Sequence, residues 1–151
     1  MTMQLTDTRF GTIEVDEFRA LTLPSGIIGF SAETRFALLE PPAGGIVAWL
    51  QSLRTASLAF PVIAATFFGD DYPRPALRVL GPRAQLGATA DEWTALVVVA
   101  SRRGSRIANL LAPIVINLAT RTGAQVVLDA NVYSAAAPFQ LEPRDRAVTT
   151  H

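Results

Sequence analysis

No hydrophobic period lasts long in this sequence. The longest uninterrupted apolar run is only residues 95–100, and ten glycines and ten prolines cut the remainder into short pieces. A chain divided in this way cannot build long amphipathic helices, and its spacing predicts many short strands. Half of the 151 residues are apolar, enough for one buried core. About 150 residues of sequentially paired strands point to a mainly β, antiparallel-rich folded sheet or small pseudo-barrel, because closure also hides sheet edges.

The individual pieces follow from alternation and turn chemistry. Residues 11–16 (GTIEVD) set Ile13 and Val15 against Thr12 and Glu14, a half-buried strand. Residues 19–23 form a second strand, ended by Pro24 and the turn Ser25-Gly26, and Gly29 marks another tight corner. Residues 35–40 and 46–52 read as two strands joined across 41–45 (PPAGG). A further strand covers 58–63, where Pro61 predicts an edge or a bulge because proline cannot donate to a ladder. A short helix is signalled by Pro75 at its start, Leu77 and Leu80 on one face, and Gly81-Pro82 at its end. Thr89 and Glu92 match a capping box, but the β-branched run after Trp93 favours a strand over 93–101. In the unit 112–128, Ile114, Ile116 and Leu118 share one strand face, residues 120–123 turn, and 125–128 return, with Gly123 supplying a positive φ. One domain over 1–141 with one or two short helices is expected, followed by a polar, frayed tail over 142–151.

Composition removes most catalytic chemistry. There is no cysteine, and the one histidine is His151. Thiolate nucleophiles, Ser-His-Asp triads and multi-histidine or cysteine metal sites are therefore excluded. All thirteen basic residues are arginine, so Walker-type phosphate loops and Schiff-base chemistry are excluded too. No metal or other cofactor is expected. Net charge is zero, against a main role in gripping nucleic-acid phosphates. The charge is nonetheless uneven, −3 over residues 1–40 and +3 over 101–151, which fits either mutual neutralisation or a bipolar surface meeting a protein partner. Residues 1–10 carry neither a basic nor an apolar leader region, and no run approaches the length of a membrane span. A cytoplasmic protein without a membrane partner is the expectation.

Residues 109–117 (NLLAPIVIN), then 123–128 (GAQVVL), then Tyr133, resemble the signature of the flagellar assembly factor FliW family. Other segments agree in order: Phe10-Gly11 with Ile13 and Val15, residues 23–30 (LPSGIIGF), 36–39 (FALL), 50–52 (LQS) and 58–60 (LAF). One departure is Ala64-Ala65, where the family usually has Asp-Pro. The resemblance implies a protein-binding regulator and not an enzyme. Proteins of this kind bind CsrA, a small dimeric translational repressor, and relieve its repression of flagellin messenger RNA. They also bind flagellin, which makes the family member a partner switch with chaperone-like character.

A partner whose working surface is basic calls for acids beside aromatic anchors. Asp70, Asp71 and Tyr72, with Phe67 and Phe68 before them, form the densest such cluster, and Asp91, Glu92 and Trp93 form a second. The same residues also read as core aromatics with turn-solvating or capping acids. Asn109, Pro113, Asn117, Gly123, Gln125 and Tyr133 read as the structural part of the family motif, with the amides serving backbone groups. Two competing readings remain open. A small RNA-binding β-barrel would start from Arg102, Arg103 and Arg106, which have no aromatic near them in sequence. An acid-base enzyme would need Asp70 with Asp91, or Glu14 with Glu40, to converge.

Overall fold

The computed structural model describes residues 2–40, 45–69, 72 and 93–141. Eleven strands appear among them: β1 (Thr2–Thr8), β2 (Gly11–Asp16), β3 (Leu21–Thr22), β4 (Arg35–Leu39), β5 (Ala48–Ser52), β6 (Ala59–Ala64), β7 (Trp93–Arg102), β8 (Ser105–Ala108), β9 (Ile114–Asn117), β10 (Thr122–Gln125) and β11 (Ala137–Phe139). The expected mainly β, barrel-like architecture is what forms. Strands β7, β6, β5, β4, β3, β10 and β9 are neighbours in that order, and β9 pairs back onto β7. That closes a seven-stranded ring. Every neighbouring pair in the ring is antiparallel except β3 with β10, a short parallel contact at Thr22 and Thr122.

Period-two alternation decides which side chains fill the ring. Phe36, Leu50, Val62, Leu96, Ile114 and Ile116 belong to one buried cluster. Their neighbours in sequence face outward and are covered by two other layers. The β1–β2 hairpin lays Leu5 and Val15 over Ala37, with Met3, Ile13 and Leu39 beside them. On another side Ile63, Val97, Val99 and Ala108 form a cluster against which Phe67, Phe68, Tyr133 and Phe139 pack. Strand β7 serves both sides, Leu96 inward and Val97 outward. Its first half pairs with β9 and its second half with β8, to which β11 adds the last strand.

Several expectations need correction. The strand over 19–23 is replaced by a 3-10 turn, Glu17–Arg19, and the two-residue β3. Asp16 accepts from Phe18 N at 3.0 Å, which caps that turn. A second 3-10 turn, Ala65–Phe68, ends β6. Leu118 leaves the face it was expected to share with Ile116 and lies in the hairpin turn, 55% exposed. Gly123 sits inside β10, and the left-handed residue of this hairpin is Arg121, φ 58°. Glycine is required at 123 because a Cβ would meet Val115 O at 2.5 Å. The helix expected at 75–80 and the tail 142–151 lie outside the described residues.

Pro61 is not at a bulge, and β6 as a whole has neighbours on both sides. It pairs with Trp49 in the interior strand β6. Ser52 N donates to Leu58 O, and antiparallel alternation then places the bonded β5–β6 pairs at Leu58, Phe60 and Val62. The Pro61 nitrogen points away from β5, toward β7, where the ladder begins only at Val62. The β6–β7 ladder stops short of Pro61, so on the side its nitrogen faces the residue lies at a local edge.

Candidate interaction surface

Of the acid-aromatic cluster read from the sequence, the structure describes Phe67, Phe68 and Tyr72, which share one apolar cluster. Phe67 and Phe68 lie in the 3-10 turn that ends β6, half-buried. Gly69 closes that turn at φ 119°, donating to Thr66 O at 3.2 Å. Phe139 of β11 joins the two rings, and all three pack edge-to-face at centroid distances of 5.2, 5.3 and 6.2 Å, the geometry that the ring quadrupole favours. Tyr72 is buried. Its hydroxyl donates to Leu110 O at 2.6 Å, and its ring meets Tyr133 edge-on at 5.2 Å. Burial pushes the Tyr72 phenol well above its ordinary value, with the Tyr133 hydroxyl adding to the effect. Tyr72 therefore packs the loops together and offers no exposed hydroxyl. Asp70, Asp71, Asp91 and Glu92 lie outside the described residues. Trp93 starts β7 and is buried.

The amides of the motif serve the backbone. Asn109 Oδ1 accepts from Ala112 N at 3.1 Å. Asn117 is fully buried, and its Oδ1 accepts from Ala119 N and Thr120 N at 2.8 and 3.1 Å, shaping the β9–β10 turn. Gln125 donates to Ala112 O and accepts from Ile28 N. Pro113 O accepts from Val126 N, and Tyr133 N donates to Asp129 O.

Sequence reasoning missed Phe139. The only local signal is a lone aromatic after Pro138, and its ring partners lie some seventy residues earlier. Also missed was a polar knot around Glu33. Its carboxylate accepts from the Ser52 hydroxyl and from Thr55 Oγ1, and Ser52 Oγ accepts in turn from Arg54 N and Thr55 N. Those two hydroxyl donors hold the Glu33 carboxyl below its usual range.

Beside the aromatic cluster runs an apolar groove lined by Val47, Pro61, Val99, Ala100, Phe139 and Leu141, with Arg106 on its wall. Ser101, Arg106 and Phe139 stand in one row across β7, β8 and β11. The pairing thus sets an aromatic beside one of the three hairpin arginines, contrary to what sequence proximity implied. The hairpin turns on Arg103 and Gly104, at φ 53° and 82°, the left-handed pair that a two-residue turn needs. Arg102, Arg103 and Arg106 are exposed.

Among the described residues no group of three or more His, Cys, Asp or Glu side chains could hold a metal ion. Glu14 and Glu40 do line one groove, in company with Asp16, Arg19 and Arg121. The other acid pair considered, Asp70 with Asp91, lies outside the described residues. No helix among these residues is long and apolar enough to cross a membrane.

Comparison with known proteins agrees with the resemblance. The chain is 32% identical over 149 residues to the flagellar assembly factor FliW of Bdellovibrio bacteriovorus, covering 97% of this chain and 84% of that one. It is 35% identical to the protein of the same name from Geobacter sulfurreducens, covering 91% and 86%. A crystal structure of the flagellar assembly factor FliW superposes with a TM-score of 0.77 at 27% identity, covering 93% of this chain and 99% of that one. The sequence model of the FliW protein family matches residues 4–139, and on these grounds the chain belongs to the FliW family.

Proposed function

We propose that this protein is a flagellar assembly factor that acts by partner switching in the cytoplasm. It binds the translational regulator CsrA, relieves repression of flagellin messenger RNA, and is itself occupied by flagellin when unexported flagellin accumulates. The observation that carries this reading is the family match from residue 4 to 139, with relatives named flagellar assembly factor covering nearly the whole chain. Support also comes from composition: the chain has no cysteine and no lysine, and its one histidine is His151. The function is then carried by a surface, and the candidates Phe67 and Phe68, joined by Phe139, are the described residues we put forward for it.

The test is a calorimetric titration of the purified chain with CsrA of the same organism, repeated with its flagellin present. Saturable CsrA binding that flagellin reverses is the expected result. Binding of flagellin alone would reduce the function to a chaperone, and binding of neither would overturn the reading.

A further inference from the structure

Strands β6 and β7 come apart at one point. Their ladder runs through Val62 and Val98 and stops there. Continuing the register would set Pro61 against Val99 and Phe60 against Ala100. Asn109 N donates to Val98 O at 2.9 Å, so Val98 turns its peptide groups toward β8. Alternation then turns those of Val99 and Ser101 toward the split. Pro61 has no N–H for the Val99 carbonyl. Beyond it the two strands diverge, and the apolar groove of Val47, Pro61, Val99, Ala100, Phe139 and Leu141 fills the gap. Arg106 lines it, and Arg102 and Arg103 stand at the hairpin beyond Ser101. All three arginines are exposed.

We propose that this split is a docking site for an extended peptide segment of a partner protein, in which acidic residues alternate with apolar ones. The segment adds a strand along Val99 to Ser101. Its apolar side chains enter the groove against Phe139 and Leu141, and its carboxylates meet Arg106 and the hairpin arginines. Extended backbone beside open peptide groups is the usual basis of strand addition, with side-chain pockets giving selectivity. Charge complementarity selects an acidic occupant over a basic one. The apolar lining and zero net charge disfavour a nucleic acid, whose phosphates would need a wider basic surface. This inference stands apart from the identity of the partners proposed above.

The test uses the full chain and a fluorescein-labelled octapeptide of alternating Glu and Val, followed by anisotropy. Saturable binding is expected, at least tenfold tighter than for the Lys-Val counterpart. The double substitution Arg103→Glu with Arg106→Glu should weaken it tenfold or more, and both positions are exposed, so folding is preserved. Methylating alternate peptide nitrogens should abolish it, and amide resonances of Val99 and Ser101 should move on titration. Equal binding of the acidic and basic peptides, no binding of either, or unmoved Val99 and Ser101 resonances would overturn the proposal. So would saturable binding of a short oligouridine that the same double substitution removes, or concentration-dependent dimerisation through these residues.

Discussion

Gln125 and Ile28, 97 positions apart in sequence, are joined by a 2.8 Å bond from the Ile28 amide to the Gln125 side-chain oxygen. The other end of the same amide donates to Ala112 O at 3.0 Å. One side chain therefore fastens the glycine corner to the β9–β10 unit. Gln125→Leu removes both bonds at similar volume and should cost about 1–3 kcal/mol, since each neutral hydrogen bond contributes roughly 0.5–1.5. Urea unfolding measures the loss. Hydrogen exchange at Ile28 should accelerate beyond what the global destabilisation explains.

Gly123→Ala tests the second consequence of that motif. The new methyl would lie 2.5 Å from Val115 O and 2.9 Å from Ile116 Cγ1. Backbone of a neighbouring strand cannot yield cheaply, so overpacking should cost about 1–3 kcal/mol. Gly104→Ala is the control. Its Cβ meets nothing within 4 Å, but its φ is +82°, so only the left-handed penalty of about 1–2 kcal/mol applies. Thermal midpoints of the two variants separate the mechanisms when a preceding Arg103→Gly is added: it relieves strain at the hairpin and does nothing for Gly123→Ala.

These two glycines show how far the sequence could be read. Strand β7 was legible because six apolar residues, three of them consecutive valines, permit little else. The hairpin within 112–128 was legible as a hairpin, but its turn falls at 118–121 and its return at Thr122–Gln125, about two to three residues earlier than the turn residues suggested; the reason for Gly123 was not legible, because close approach of a neighbouring strand leaves no local mark. Strand β1 carries only Leu5 and Thr8 as buried positions. It exists because the β1–β2 hairpin covers the outer face of β4. Phe67 and Phe68 could be picked out as aromatics, but their partner Phe139 arrives by pairing with β8. The docking split likewise needs Pro61, Val99 and Arg106 together, three residues that only the tertiary fold makes neighbours.

Ala64 precedes the 3-10 turn Ala65–Phe68 and makes no side-chain cap bond. An aspartate there, as in the Asp-Pro pair usual in FliW-like sequences, could accept from the backbone N–H of Thr66, two residues into the turn. Ala64→Asp should therefore stabilise the protein by about 0.5–2 kcal/mol. Ala64 is exposed, so no core volume changes. Chemical unfolding of the variant checks the gain, and Ala64→Leu, which cannot cap, should show none.

Glu33 links stability to acidity. Its hydroxyl donors hold it below its ordinary value of 4.5, so the folded state favours the ionised form more than the unfolded state does. That contribution is complete above the unfolded value and is lost as pH falls through the folded one. Glu33→Gln should be less stable than the parent at neutral pH, with the difference narrowing below about pH 4. Urea midpoints across the acid limb measure this. A constant difference at all pH values would assign the loss to packing alone.

Tyr72 carries the opposite linkage at the alkaline end. Burial raises its phenol above the ordinary 10.0, so the unfolded chain ionises first. The stability that this group contributes is complete below about pH 10 and declines as pH rises beyond it. The chain has two tyrosines. Phenolate absorbance of the native protein should show Tyr72 staying protonated until unfolding releases it, and Tyr72→Phe should remove that late step. The same substitution deletes the 2.6 Å bond to Leu110 O and should cost about 0.5–1.5 kcal/mol at neutral pH. If the phenol instead titrates reversibly in the native state without a late step, the Tyr72 side chain opens to solvent. The loops around Phe67 and Tyr133 would then be less firmly fastened than the bond to Leu110 implies.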